Sequence, residues 1–245
     1  MTDLRATALI ARRELGAWLR SPGGWLIAAV MLLVDGLLFN AYAVGSGAKL
    51  STQVLQDFFY FTAGTTMIAS VLLSMRLIAE ERQAGTLPLL MSAPVSEGAV
   101  VGGKFISALI VLSALTLATL YMPALIFLNG KVSLGHIAGG YLGLLLLGAT
   151  TLAIGTLGSV LGRTQLVAGV LSSAMITTLL LCWILARVSD SPLKEILRAM
   201  ALFDAHFKPF QRGLLRLSDV VFFLSVAWLA LIAATRALRR ERWGG

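Results

Sequence analysis

Few residues of this sequence have side chains suited to catalysis or metal binding. The two histidines, His136 and His206, lie far apart, and the single cysteine, Cys182, falls within an apolar run. Zinc sites and hydrolytic triads both need several such groups close together. The stretch Gly158–Thr164, GSVLGRT, has three residues rather than four between its glycines, and Arg where a phosphate loop has Lys. We therefore expect no catalytic residue, metal or cofactor in this chain.

Asp35 is the one charged residue deep within a long apolar run. A carboxylate at the centre of a membrane-spanning helix costs about 3 kcal/mol, so such residues often have a function. Asp35 could form an intramembrane polar site, on an ion pathway or in an enzyme, although no other apolar run supplies an acidic or histidine partner. Alternatively, it is a structural group that bonds to Ser, Thr or Asn on other helices. The sequence leaves both interpretations open.

The stretch 76–95, RLIAEERQAGTLPLLMSAPV, separates two apolar runs with charges, a glycine and two prolines. Gly85 permits a sharp turn, Thr86 is a typical helix N-cap and Pro88 fits the first turn of a helix. A helix of one or two turns is therefore predicted after Gly85. Its apolar residues would form a compact knob: Leu87, Leu89, Leu90 and Met91.

Two roles fit this knob equally well. It could belong to an interfacial linker whose leucines rest on lipid, or it could be a rigid projection that inserts into a groove of a cytoplasmic protein. In either role the charged residues before it, Glu80, Glu81 and Arg82, lift the chain out of the hydrocarbon.

Membrane-spanning helices must position these residues. Hydrophobic residues make up 58% of the 245 residues and charged residues only 13%, against about 45–50% and about 25% in soluble domains. The sequence predicts an all-α polytopic membrane protein, with a single domain over residues 1–245 and six spans of roughly 20 residues. The last is short, so Asp219 and Arg236 should reach the interface from its ends. The spans are Trp25–Val44, Phe58–Ala79, Phe105–Leu128, Ile137–Leu161, Leu166–Ala186 and Val220–Thr235.

The fourth predicted span carries two G-x-x-x-G pairs, Gly139 with Gly143 and Gly158 with Gly162. Small residues at this spacing let helices approach closely. The close neighbour could be a helix of the same chain or of a partner chain, and packing within the chain is the favoured interpretation.

The net charge of +8 indicates basic residues that face the cytoplasm and anionic lipid, rather than nucleic acid, because no basic block is continuous. With a cytoplasmic N-terminus, the inner segments hold 12 Lys and Arg, and the short outer loops hold only Lys49 and Lys131. We predict that both termini are cytoplasmic, although six Lys and Arg in residues 187–218 run against the rule. Residues 1–22 are predicted to form an amphipathic interfacial helix. Its apolar face comprises Leu4, Ala8, Ala11, Leu15 and Trp18.

The outer segment, residues 187–218, is predicted to be helical and to lie in the outer leaflet before the last span. Ser191 is a natural N-cap and Pro192 fits the first helical position. The segment could be a structural lid over the bundle or a substrate gate. Its apolar residues are Leu193, Ile196, Leu197, Met200, Phe203, Phe207 and Phe210.

The run E-E-R-x-x-G-T-L-x-x-L-x-x-A-P-V, from Glu80 to Val95, resembles the coupling segment of type-2 ABC exporter permeases. The similarity continues through Gly103-Lys104-Phe105. The stretch Phe203–Ser225, FDAHFKPFQRGLLRLSDVVFFLS, is similar to the outer segment and last span of the gliding-motility-associated branch of that class. The order of elements is similar too, so the resemblance covers nearly the whole chain. The chain departs from the family at Pro88, where the family usually has Glu.

The resemblance implies a permease subunit of an ATP-driven exporter in the bacterial inner membrane. ATP and Mg²⁺ would be bound by a separate cytoplasmic ABC ATPase dimer, and a second permease chain, identical or related, would complete the transporter. Residues 80–96 would be the coupling segment that meets the ATPase. Its contact residues would be Glu80, Glu81, Arg82, Gly85, Thr86, Leu87, Leu90 and Met91.

Members of the gliding branch are often associated with an extracytoplasmic auxiliary protein. The resemblance therefore also implies an outer gate or auxiliary contact. Two functions remain open: export of a substrate, or a membrane scaffold that transmits ATPase motion to the auxiliary protein without transport. Both use the same coupling segment, so the sequence does not separate them. The residues of the outer gate or auxiliary contact would be Phe203, His206, Phe207, Phe210 and Arg212.

Overall fold

The computed structural model describes residues 3–44, 50–129 and 132–243, which are helical and contain no β-strand. Lys49 and Lys131, the predicted outer-loop cations, lie outside these ranges. Two short π-helical turns, Phe39–Val44 and Leu202–Phe207, accompany twelve α-helices in the described residues. The helices are α1 (Asp3–Arg20), α2 (Pro22–Leu38), α3 (Ser51–Ser74), α4 (Ala79–Gln83), α5 (Leu87–Ser92), α6 (Glu97–Ala118), α7 (Tyr121–Asn129), α8 (Leu134–Leu161), α9 (Gln165–Val188), α10 (Leu193–Met200), α11 (Lys208–Gln211) and α12 (Leu217–Trp243).

Six stretches of the described chain are long and apolar enough to cross a membrane. They confirm the predicted all-α polytopic fold, and each overlaps one predicted span. The last is 25 residues long because α12 continues past both Asp219 and Arg236. The stretches are Pro22–Ala41, Ser51–Gln83, Glu97–Leu128, Leu134–Leu161, Gln165–Val188 and Leu217–Glu241.

The central helix is α8. In its most apolar 18-residue stretch 78% of the residues are buried, against 17% in that of the first span and 22% in that of the fifth, and α8 packs on α3, α6, α9 and α12. Glycines make this crowding possible, because an added Cβ at Gly143 would collide with Phe210, and one at Gly158 with Ser172. The paired glycines of the fourth span therefore pack within the chain, as the favoured interpretation predicted.

The N-terminal helix α1 lies across α6, and the face that it buries differs in part from the predicted one. Ala11 and Trp18 are buried as expected, whereas Leu4 is 83% exposed. The reason is a pairing that the helical pattern alone does not show. At Gly103 of α6, an added Cβ would lie only 2.8 Å from the Cβ of Ile10, so the glycine gives room for Ile10 to pack.

The two ends of the bundle differ in composition. We call the end formed by α1, α4, α5, the start of α6 and the end of α12 the coupling end. Its core is mainly aliphatic. The opposite end, formed by α10, the turn Leu202–Phe207 and α11, is called the far end, and its core is rich in aromatic rings. Both terminal helices of the described chain contact the coupling end: Glu14 of α1 pairs with Lys104 of α6, and Glu241 near the end of α12 bonds to Arg82 of α4.

The helical character of the outer segment is confirmed, although its first helix begins later than predicted. α10 starts at Leu193, so Pro192 rather than Ser191 occupies the capping position. The chain leaves much of the predicted apolar stripe uncovered, with Leu193 and Ile196 52% and 56% exposed. This exposure is what a helix at the lipid interface requires.

Candidate functional site

The coupling segment leaves the bundle through an interruption in the second span. α3 ends at Ser74, residues 75–78 form turns and α4 follows. Gly85 has a φ of +71°, which favours glycine, so the predicted turn is confirmed. α5 then spans six residues with Pro88 in its first turn. Thr86 occupies the N-cap position as predicted, but its hydroxyl donates to the Glu81 carbonyl at 3.3 Å and caps nothing.

Two charges of the motif hold the segment by separate contacts. Glu80 accepts two hydrogen bonds from the Arg76 guanidinium, at 3.0 and 3.1 Å. Arg82 forms a bidentate ion pair with Glu241 of α12 and donates a further hydrogen bond to the carbonyl of Gly162, where α8 ends. Glu80 and Arg82 therefore form contacts within the chain, in addition to their predicted effect of lifting the chain out of the hydrocarbon.

Glu81, the third charge of the motif, takes part in a buried triad around Lys104. The Lys104 side chain is only 3% exposed, and its ammonium lies 2.9 Å from a Glu81 oxygen and 3.1 Å from a Glu14 oxygen. An ammonium removed from water is costly unless carboxylates compensate it. The triad therefore joins α4 to both α1 and α6.

Ser159 of α8 fastens the turn that begins the segment. Its hydroxyl accepts hydrogen bonds from the backbone N–H groups of Ile78 and Ala79, at 3.0 and 3.1 Å. It also donates to the Met75 carbonyl at 3.3 Å. Where α3 is interrupted, these backbone groups have lost their partners within the helix, and Ser159 satisfies them. The most buried helix is thus bonded directly to the turn that leads into the coupling segment.

The predicted apolar knob is only partly exposed. Leu87 is 5% exposed and belongs to the core of the coupling end, and Leu90 and Met91 pack against that core. Leu89 alone among the four projects, with 73% of its surface exposed. In the isolated chain the side chain of Leu87 is therefore not accessible to a partner, because α5 turns that face inward.

A groove of about 660 Å³ runs between α1 and α5, and we call it the coupling groove. Arg13 and Trp18 of α1 line one side, and Leu89 and Leu90 of α5 line the other. The three residues of the Lys104 triad also line it. The groove therefore combines an apolar projecting residue with charges that, apart from Arg13, are paired among the described residues.

Asp35 is buried and bonded to another helix. Its exposure is 2%, and the Thr65 hydroxyl of α3 donates to its Oδ1 at 2.6 Å. This is the contact expected from the structural interpretation. Among the described residues Oδ2 has no hydrogen-bond partner. A role for Asp35 in transport stays a prediction.

The predicted outer gate divides into buried and accessible residues. Phe207 and Phe210 are fully buried, and Phe210 packs against Gly143 of α8. They fasten the far end to the bundle and are not accessible in this structure as auxiliary contacts. Phe203 is half-buried beside Tyr60, and Arg212 is exposed.

His206, the remaining residue of this set, is fixed by three neighbours. Its Nδ1 lies 2.8 Å from Asp219 and its Nε2 lies 2.9 Å from the Ala199 carbonyl. The ring stacks on Phe222 with a centroid distance of 3.7 Å. Asp219 was expected to reach the interface, but it is 3% exposed because it pairs with His206 inside the protein.

Sequence reasoning missed three residues of the coupling end: Glu14, Ser159 and Glu241. A signal existed for Glu14, because Lys104 stands beside an apolar run and needs carboxylates, which are few on the inner side. No signal existed for Ser159, since one serine in an apolar helix usually bonds to its own backbone. Within the described ranges, no group of three His, Cys, Asp or Glu could hold a metal ion.

Comparison with known families agrees with this architecture. Residues 8–197 match the family described as ABC-2 family transporter protein. The matched region runs from α1 through the first five spans and includes the whole coupling segment. No curated protein matches the chain. With most of its length matched and six helices able to cross a membrane, the chain belongs to the ABC-2 transporter family, as the permease subunit of an ABC transporter.

Proposed function

We propose that this permease is an exporter subunit driven by a separate cytoplasmic ABC ATPase dimer that meets residues 80–96. The ATPase would bind ATP and Mg²⁺, and a second permease chain would complete the transporter. The observation that carries the proposal is the number of independent contacts that hold the coupling segment. Through Lys104 and Arg82, it is bonded to α1, α6, α12 and the end of α8, and Ser159 of α8 holds the turn that precedes it.

These contacts suit the transmission of force. A displacement of α5 would pass to α8, the most buried helix, through the hydrogen bonds of Ser159. It would pass to α1 and α6 through the Lys104 triad. A linker that merely rests on lipid has no need of a buried ion triad, because burying charged groups is costly even when they are paired. The coupling role is therefore favoured over the linker role.

We propose the coupling groove and Leu89 as the surface that the ATPase meets. Burial of an exposed leucine contributes about 1.5–3 kcal/mol. Glu81 and Arg82 contribute by holding the segment, because their charges are already paired within the chain. Pro88, which stands where the family usually has Glu, is consistent with a contact dominated by apolar surface.

We propose that the coupling end faces the cytoplasm of the bacterial inner membrane, so that both termini are cytoplasmic. The 12 Lys and Arg of the inner segments support this orientation. Assignment to the gliding-motility-associated branch, with an extracytoplasmic auxiliary protein at the far end, is supported by the resemblance of Phe203–Ser225.

The test replaces Leu89 with Asp and co-expresses the full chain with the ABC ATPase of the same transporter. We expect L89D to lower the amount of co-purified ATPase by about tenfold or more, because a charge would replace the apolar contact. Insertion into the membrane should be unchanged, since Leu89 is exposed.

The matched control is Leu217→Asp at the far end. Leu217 is 78% exposed, and an Asp in the first turn of α12 is favourable to the helix. L217D should retain the ATPase. Full retention of the ATPase by L89D would contradict the proposed docking surface.

A further inference from the structure

The six cations of the outer segment, which run against the positive-inside rule, all line one cavity. This basic cavity has a volume of about 780 Å³ and lies at the far end between the end of α9, α10 and α11. A cluster of like charges beside a membrane is unfavourable unless something compensates it. Its cations are Arg187, Lys194, Arg198, Lys208, Arg212 and Arg216.

The carboxylates of the basic cavity do not balance these cations. Among the described residues, Asp204 and Asp219 are the only carboxylates that line it, and both are already bonded, Asp204 to Lys208 and Asp219 to His206. The outer segment's other two acids, Asp190 and Glu195, are not among its lining residues. Within the described part of the chain, the five remaining cations form no ion pair. The cavity therefore has a capacity for anions that the chain itself does not satisfy.

A second cavity, the apolar cleft, adjoins the first. It measures about 530 Å³ and lies between α2, α3 and α9. Tyr60 and Ile68 on its wall are 52% and 63% exposed, so the cleft is open at the surface of the spanning helices. Its other apolar lining residues include Phe61, Met67, Leu180 and Trp183.

The two cavities share four lining residues, Trp183, Arg187, Asp204 and Lys208. At this junction the Arg187 guanidinium lies over the Trp183 ring, 4.2 Å from its centroid. The junction therefore joins an apolar surface among the spanning helices to a cationic surface at their end.

We propose that the basic cavity and the apolar cleft together bind an anionic lipid. The phosphate-bearing headgroup occupies the basic cavity, where arginine and lysine are its natural partners. The acyl chains occupy the apolar cleft. An acidic protein surface or a free phosphate would satisfy the cations but would leave the cleft without a role, so a lipid fits both halves.

Binding of this lipid does not require the ATPase. A separate step, in which the bound lipid is also the transported substrate, rests on the proposed exporter function. Equilibrium binding to the permease alone therefore separates failure of this proposal from failure of the coupling proposal.

The experiment uses the full chain in phosphatidylcholine vesicles. Dibrominated phosphatidylglycerol or dibrominated phosphatidylcholine with the same acyl chains is added in increasing mole fraction, and quenching of tryptophan fluorescence is recorded. Subtraction of the signal of W183F isolates the quenching at Trp183, the tryptophan at the junction. We expect the anionic lipid to quench Trp183 at about a tenfold lower mole fraction than the zwitterionic lipid.

Two variants test the two halves of the site. Arg198→Gln with Arg212→Gln removes cations of the basic cavity and should abolish the preference for phosphatidylglycerol. Gly64→Leu should block entry of the acyl chains, because Gly64 lines the cleft and the leucine side chain would occupy part of it. The protein itself has room for this side chain, since an added Cβ at Gly64 meets no atom within 4 Å. The control, Arg5→Gln with Arg12→Gln on exposed positions of α1, lowers the net charge equally and should keep the preference.

Three results would overturn the proposal. Equal quenching by both lipids would show that the cations do not select the headgroup. Displacement of the lipid by inorganic phosphate or glycerol phosphate at similar concentrations would show a simple anion site. Displacement by polyglutamate would show a surface for an acidic protein instead.

Discussion

The coupling groove and the basic cavity, at opposite ends of the bundle, use charged residues differently. The groove is lined by three cations and three carboxylates, and only Arg13 among them forms no ion pair within the described residues. The basic cavity is lined by six cations and two carboxylates. Among the described residues, the coupling groove thus pairs all of its charges except Arg13, whereas the basic cavity leaves five of its six cations without an ion pair.

This difference separates a structural role from a binding role. Paired charges such as the Lys104 triad fix the relative positions of helices, because breaking them leaves a buried charge. Unpaired cations add little to stability but attract anions. A coupling element must be rigid, whereas a site for a charged ligand needs charged groups that are not already paired. The two ends are therefore suited to different tasks.

The largest expected effect on stability comes from a substitution of Lys104, at the coupling end. Lys104→Met would leave the carboxylates of Glu14 and Glu81 facing each other without a cation. Removing one partner from a buried ion pair typically costs about 3–5 kcal/mol. We expect a strongly lowered midpoint of thermal unfolding in detergent and a loss of ATPase co-purification.

The triple variant K104M/E14Q/E81Q is the control for this change. It removes all three charges together, which is often close to neutral for buried ion groups. Stability should therefore recover for the most part. A single K104M variant as stable as the unmodified chain would contradict the structural role of the triad.

A smaller effect is expected where Arg82 meets α12. Glu241→Gln breaks an ion pair in which the glutamate side chain is 45% exposed. The free energy of unfolding should therefore fall by about 0.2–1 kcal/mol, and by less at high salt. Arg82→Gln also removes the hydrogen bond to the Gly162 carbonyl and should cost more, about 1.5–3 kcal/mol. Thermal unfolding of both variants measures the difference. Equal costs would show that the bond to Gly162 contributes nothing.

The sequence predicts the spans of this protein well because length and hydropathy decide them. Five of the six predicted spans reach the roughly 20 residues that a helix needs to cross a bilayer. The structure extends the sixth, Val220–Thr235, at both ends. The turn at Gly85 and the helix after it were also predictable, since glycine and proline act through local backbone geometry.

Which face of a short helix turns inward was not predictable. Leu87 and Leu89 are equally apolar, but the register of α5 on the bundle buries the first and exposes the second. Phe207 and Phe210 have the composition of a contact surface, yet they pack into the far-end core, where Gly143 makes room for Phe210. Such choices depend on tertiary packing, which a single sequence does not display.

The smallest expected effect on stability comes from a substitution at the far end. Arg212 is exposed and forms no ion pair within the described ranges, so Arg212→Gln should change the free energy of unfolding by no more than about 0.5 kcal/mol. The same loss of one positive charge at Arg82 should cost several times more, because Arg82 is paired. Thermal unfolding of both variants under identical conditions makes the comparison direct. Equal destabilisation would mean that the far-end cations are structural as well, and the distinction between a rigid end and a binding end would fail.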